Sequence, residues 1–119
     1  VVEKVESTYP NGEKKKVSYY QKNGDEELVV EEKLYHENSE FKMGGKFKDG
    51  KRDGVWKAFF DNGQLQSEGA FKDGKRDGIA KVYFPNGQLM YEGQYKDDKQ
   101  VGHWKFYNEQ GKLANEKDF

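Results

Sequence analysis

A 24-residue period constrains this chain more than any other feature, because a motif repeated without gaps has to fold the same way each time. The octet Phe-Lys-Asp-Gly-Lys-Arg-Asp-Gly occupies residues 47–54, recurs identically at 71–78 and returns loosely at 95–102. An aromatic segment follows at 55–60, 79–84 and 103–108. Next come Asn62-Gly63-Gln64-Leu65, Asn86-Gly87-Gln88-Leu89 and the eroded Gln110-Gly111-Lys112-Leu113. Each copy then runs through Glu68, Glu92 or Glu116 to a ring at Phe71, Tyr95 or Phe119. A weaker copy starts at Tyr35 and passes through Phe41 and Gly44-Gly45 to Phe47. Residues 1–34 fit the period only if about three extra residues are inserted, and read as an atypical N-terminal cap of hairpins.

Asn-Gly between alternating segments predicts a two-residue type I′ hairpin turn, in which both central residues take positive φ. A turn at Asn86-Gly87 sets Phe84 opposite Leu89, Val82 opposite Tyr91, Lys81 opposite Glu92 and Ala80 opposite Gly93. At Asn62-Gly63 it sets Phe60 opposite Leu65, Lys57 opposite Glu68 and Trp56 opposite Gly69. At Gln110-Gly111 it sets Lys105 opposite Glu116. A Lys–Glu pair thus falls on one rung three times, although charge played no part in choosing the turns. Each such pair contributes roughly 0.2–1 kcal/mol.

Alternation places Trp56, Ala58, Phe60, Leu65, Ser67, Gly69, Phe71 and their counterparts on one apolar face, with the Lys–Glu rungs opposite. A glycine inside a strand weakens it. Trp56 is therefore expected to lie over Gly69, a ring covering bare backbone, and Gly93 and Trp104 count with them as structural residues. The octet reads as a connecting loop. Residues 26–34 look helical by composition, but their alternation and the preceding Asn23-Gly24 favour strand. The fold class is therefore all-β: an antiparallel β-meander of tandem β-hairpins, with residues 35–119 as one continuous array. One sheet alone leaves its apolar face wet, so it must twist, curl or pair with another copy.

Composition excludes several function classes. Hydrophobic residues make up only 33%, yet aromatics reach 15%, and large rings exclude water where aliphatics are few. Charged residues reach 36% with a net charge of −1, so the global field that draws in nucleic acid is absent. Without cysteine there is no disulfide, thiolate metal site or cysteine nucleophile. No apolar run approaches the roughly 18 residues that span a bilayer. The sequence begins at Val1 rather than Met, which fits a trimmed chain or a processed secreted protein and leaves the compartment open.

These residues resemble a known family. The pattern Gly-x-Trp-Lys-x-Phe-Phe-x-Asn-Gly-Gln-Leu-x-x-Glu-Gly-x-Phe-Lys-Asp-Gly looks like the bacterial variant of the MORN (membrane occupation and recognition nexus) repeat. Residues 54–74 and 78–98 carry it most clearly and 102–119 carry a truncated copy, while Ala80 stands at the Trp position of the central repeat. Bacterial proteins built this way are often labelled YwqK-type antitoxins of toxin–antitoxin pairs. The resemblance implies a scaffold, a dimerisation module or, in some proteins, a lipid-headgroup binder.

Candidate chemistry is sparse. The histidines are His36, near a turn, and His103, at a strand start; Ser7, Ser18, Ser39 and Ser67 lie outside any nucleophile-elbow context. Glu68, Glu92 and Glu116 recur with a cross-strand Lys, whereas catalytic groups are normally unique. The reading is therefore non-enzymatic, with no cofactor and no metal. Calcium at Asp49, Asp53, Asp73 and Asp77 is disfavoured because Lys and Arg sit between the acids. Lys51, Arg52, Lys75 and Arg76 are the candidates for a phosphate or lipid headgroup. Lys14, Lys15 and Lys16 form a denser patch, but the Asn23-Gly24 register brings Glu31 across from Lys16 and Glu32 across from Lys15.

Tyr35, Phe59, Tyr83 and Tyr107 share one repeat position on the charged face and form a candidate partner-binding stripe. The alternative role for these rings is packing against Val55, Ile79 or Met90. The expected function is a protein-interaction repeat module, with a cognate toxin as one candidate partner. The alternative is a scaffold that self-associates as a homodimer or sits on membrane phospholipid.

Overall fold

The computed structural model describes residues 1–119 as ten strands and no helix. They are β1 (Val2–Thr8), β2 (Lys14–Asn23), β3 (Glu26–Tyr35), β4 (Phe41–Lys48) and β5 (Lys51–Phe59), then β6 (Leu65–Lys72), β7 (Lys75–Tyr83), β8 (Leu89–Lys96), β9 (Lys99–Tyr107) and β10 (Leu113–Asp118). All ten form one open antiparallel sheet in chain order, the meander that the period predicts. The first three strands join the same sheet as the rest, β3 pairing with both β2 and β4.

The two kinds of turn are exchanged relative to expectation. Type I′ geometry falls on the octets: Asp49 and Gly50 both have positive φ (52° and 77°), as do Asp73 and Gly74 (51° and 79°) and Asp97 and Asp98 (49° and 67°). Lys48 consequently pairs with Lys51, and the second half of each octet belongs to a strand rather than a loop. The Asn-Gly turns take the three-residue form, a type I turn closed by a left-handed glycine. Gly63 N–H donates to Phe60 O at 2.9 Å, Phe60 N–H donates to Gln64 O at 2.8 Å, and only Gly63 has positive φ. Asn62 serves through its side chain instead, Oδ1 accepting from Gln64 N–H at 2.9 Å.

This turn offsets the register by one residue, so Phe59 rather than Phe60 faces Leu65, and Tyr83 rather than Phe84 faces Leu89. A bulge at Gln66 and at Met90 then cancels the offset. Beyond it Lys57–Glu68, Trp56–Gly69, Lys81–Glu92, Ala80–Gly93, Val82–Tyr91 and Lys105–Glu116 pair as the sequence predicts. The same glutamates also meet the next hairpin, Glu68 opposite Lys81 and Glu92 opposite Lys105, so the rungs join into one alternating row from β5 to β10. None of these Lys–Glu pairs closes to 4.0 Å; the ion pairs within that limit involve Lys4, Lys14, Lys16 and His103.

The N-terminal register also differs. The β2–β3 turn is centred on Gly24-Asp25, and a bulge sets Lys16 opposite Leu34 and Tyr19 opposite Glu31. The three lysines disperse: Lys14 lies 3.6 Å from Glu3, Lys15 sits over the Tyr9 ring and Lys16 lies 3.6 Å from Glu32.

Only eight of 119 residues are buried, among them Val17, Trp56, Ala80 and Trp104. The molecule measures 50 × 34 × 16 Å, the thickness of one sheet with its side chains. Cohesion therefore comes from the backbone ladder, from ring packing and from contacts between turns on the same edge. Asn38 Nδ2 donates to Asp61 O at 2.7 Å and Asn86 Nδ2 to Glu109 O at 2.8 Å; on the opposite edge Gly74 N–H donates to Arg52 O at 3.0 Å and Asp98 N–H to Arg76 O at 2.9 Å.

Candidate functional site

Trp56 does not lie over Gly69. Its ring covers Gly45 on the other neighbouring strand, where an added Cβ would stand 2.5 Å from the indole carbons. Trp104 covers Gly93 in the same way. The cause is a second irregularity in each repeat, in which three residues of β5 (Gly54, Val55, Trp56) face the single Gly45 of β4. Gly54 opens that bulge at φ 83°, a left-handed conformation costly for a residue with a side chain. The detour tilts the Trp toward the preceding hairpin. Trp56 Nε1–H then donates to Lys46 O at 3.0 Å and Trp104 Nε1–H to Val101 O at 3.1 Å. Phe47 and Tyr95 meet the two indoles edge-on, each at 5.1 Å between centroids.

The central repeat lacks this plug. Ala80 stands where the other two have Trp, and the space above Gly69 is reached by Arg76, whose Nη1 lies 3.0 Å from a Cβ built there. A cleft of about 190 Å³ results, lined by Trp56, Gly69, Phe71, Ala80, Tyr91 and Tyr95 among others. Arg52 and Arg76 also line it. Arg52 lies over Trp56 at 4.2 Å and Phe71 at 5.4 Å, and Arg76 lies over Phe71 at 5.1 Å and Tyr95 at 5.5 Å. No carboxylate lies within the 4.0 Å ion-pair limit of either guanidinium.

The four cations suggested for an anion therefore separate. Arg52 and Arg76 join the aromatic cleft, whereas Lys51 is exposed, its aliphatic stem under the Gly74 turn, and Lys75 lines a polar groove with Asp73 and Asp77. Tyr35, Phe59, Tyr83 and Tyr107 are each half-buried and face Phe41, Leu65, Leu89 and Leu113 across their hairpins. Phe41 also links two of them, 6.0 Å from Tyr35 and 5.4 Å from Phe59. Val55 and Ile79 are both more than half exposed. His36 sits in a turn, its Nε2 2.8 Å from Phe59 O.

His103 is the one histidine drawn into a charge cluster, with Nδ1 2.6 Å from Asp118 and Nε2 2.8 Å from Glu116. A neutral imidazole has one N–H, so carboxylates on both nitrogens favour imidazolium, and its pKa is raised, first by the Glu116 hydrogen bond and then by Asp118. Sequence reasoning missed the Arg–aromatic cleft. Its signal in the sequence is Ala80, a small side chain where the neighbouring repeats have Trp56 and Trp104.

Among known proteins, a search of curated sequences finds no match. Family models do match: the MORN repeat variant at residues 52–73, 76–97 and 100–119, and the MORN repeat at residues 45–55. The three variant matches fall on successive hairpins, each with its Trp-or-Ala position and its Glu rung, and together they take in more than half of the chain. The chain belongs to the MORN repeat variant family.

Proposed function

We propose that this chain holds another protein against its aromatic face and carries out no chemistry on it. Repeats of this family are in general protein- or membrane-interaction modules. The observation that carries the reading is the aromatic face that no second layer covers: with eight residues buried, the rings of Phe71, Tyr91 and Tyr95 remain partly exposed on a one-layer sheet. Rigid aromatic side chains held by a backbone ladder lose little entropy on binding, which suits them as anchors. In its finer form the partner is a toxic protein neutralised by steric capture, as the resemblance to antitoxin-labelled chains suggests. The outer halves of Tyr83 and Tyr107 supply a second candidate contact.

Immobilised chain exposed to lysate of the source organism tests this. A discrete captured protein is expected, lost in a Tyr91→Ser/Tyr95→Ser variant and retained in Tyr83→Ser/Tyr107→Ser, with circular dichroism confirming that both variants fold. Loss only in the second variant moves the site to the stripe. No capture at any salt or detergent condition overturns the reading. A second reading, self-association, is favoured by the full exposure of β1 and β10, where Val2, Val5 and Leu113 are exposed. Light scattering across a concentration series decides it, and liposome flotation decides the lipid form.

A further inference from the structure

We propose that the cleft above Ala80 receives one ring-bearing side chain of a partner protein, and that Arg52 and Arg76 take carboxylates flanking that side chain. The inference rests on the protein-interaction reading and specifies the chemistry of the segment bound. Three observations converge on it.

The first is shape. Trp56 and Trp104 fill their repeats by lying over Gly45 and Gly93, whereas Ala80 leaves the equivalent place above Gly69 to the tip of the Arg76 side chain, with a cleft beside it. At about 190 Å³ the cleft is below the roughly 300–1,000 Å³ of small-molecule sites. It is comparable to the engineered cavity of about 150 Å³ that accepts benzene. A volume for a single ring, open on a flat face, is the form of an anchor pocket at a protein interface.

The second is charge. Arg52 and Arg76 are the charged side chains on the cleft's face of the sheet, because Lys57, Glu68 and Lys81 alternate to the other face, in a protein whose net charge is −1. Both guanidiniums lie over rings and have no carboxylate within the ion-pair limit. A guanidinium over a ring keeps N–H donors available for a bidentate carboxylate.

The third is spacing. Arg52 and Arg76 both lie over one ring, 5.4 and 5.1 Å from the Phe71 centroid, so they are at most 10.5 Å apart. In an extended segment the residues that share a face with an anchor stand two places before and after it, about 13 Å apart along the backbone. An acid–x–aromatic–x–acid segment therefore brings both carboxylates to the arginines' side of the chain with its ring in the cleft.

Nuclear magnetic resonance on the full chain tests this, because the two indole N–H signals separate the cleft (Trp56) from an internal control (Trp104). The probes are acetyl-Asp-Gly-Phe-Gly-Asp-amide, acetyl-Lys-Gly-Phe-Gly-Lys-amide and acetyl-Asp-Gly-Ala-Gly-Asp-amide. The first is expected to shift Trp56 saturably, and the other two to bind at least about tenfold more weakly. Arg52→Gln and Arg76→Gln should each weaken the first probe. Ala80→Trp, which restores the ring-on-glycine arrangement of the neighbouring repeats, should abolish the shift while the spectrum stays dispersed. Equal binding of the lysine probe, no shift at roughly 10 mM peptide, or undiminished binding to Ala80→Trp overturns the proposal. Lysate capture that survives Ala80→Trp also sinks the cleft but leaves the interaction reading intact. Peptide binding without any captured protein does the reverse.

Discussion

At the residue scale, two glycines paired with the same kind of position have different jobs. Gly93 lies under the Trp104 ring, whereas Gly69 is approached by the flexible end of Arg76. Neither takes positive φ, so alanine at either site tests packing alone. Gly93→Ala is expected to lose about 1–3 kcal/mol, the usual cost of overpacking against something that cannot move aside. Gly69→Ala is expected to fall within about 0.5 kcal/mol, because a guanidinium can swing away. Urea melts of the two variants check this, and equal losses would remove the ring-on-glycine account. The sequence made the pairing of Trp56 with Gly69 legible but not the direction of the ring. Gly45 and Gly69 are both within reach, and the choice is made by the two extra residues that β5 inserts at Gly54. A period-two pattern contains no sign of such an insertion, because a shift of two residues changes the β4–β5 pairing but leaves every side chain on its own face.

At the element scale, β10 shows how a strand with no buried residue is held. Its register with β9 places Glu116 opposite Lys105 and Asp118 opposite His103, and both carboxylates converge on the imidazole. The raised pKa of His103 fixes the sign of the pH dependence. Stability from this cluster is fully present below the unfolded histidine pKa, near 6.5, and is lost as pH rises through the higher folded value. Amide exchange in β10, corrected for intrinsic rates, should therefore be slower at pH 6 than at pH 8.5. His103→Gln should flatten that difference, and a difference that survives the substitution would place its origin elsewhere. The turns teach a related lesson about legibility. Asn-Gly and Asp-Gly both permit type I′ geometry, and the sequence ranked the wrong one first. The number of residues available decides: Lys48 and Lys51 close over two residues, while Pro85 occupies one place in a loop of three before Gly87. The predicted Lys–Glu register survived only because a bulged residue at Gln66 and Met90 compensates for the longer turn.

At the scale of the whole molecule, the sheet has no interior to cooperate through. Each strand touches its neighbours in chain order and nothing across a second layer, in a slab 16 Å thick. Stability in such an array approximates a sum of hairpins and nearest-neighbour contacts, so opening proceeds from the edges rather than all at once. The middle strands have Trp56, Ala80 and Trp104 as buried anchors in β5, β7 and β9, and turn-to-turn hydrogen bonds on both edges. At the margins, β1 and β10 are exposed along their full length. Native-state hydrogen exchange should therefore be graded, slowest over residues 65–83 and fastest in β1 and β10. Dilution should leave the gradient unchanged if the apolar face is free in the isolated chain. If two copies cover that face, protection becomes uniform at high concentration and the gradient returns only on dilution. The same measurement with a captured partner shows which strands it covers. A ligand held over Ala80 and gripped by Arg52 and Arg76 slows exchange in β5 to β8 and leaves β1 and β2 as they were.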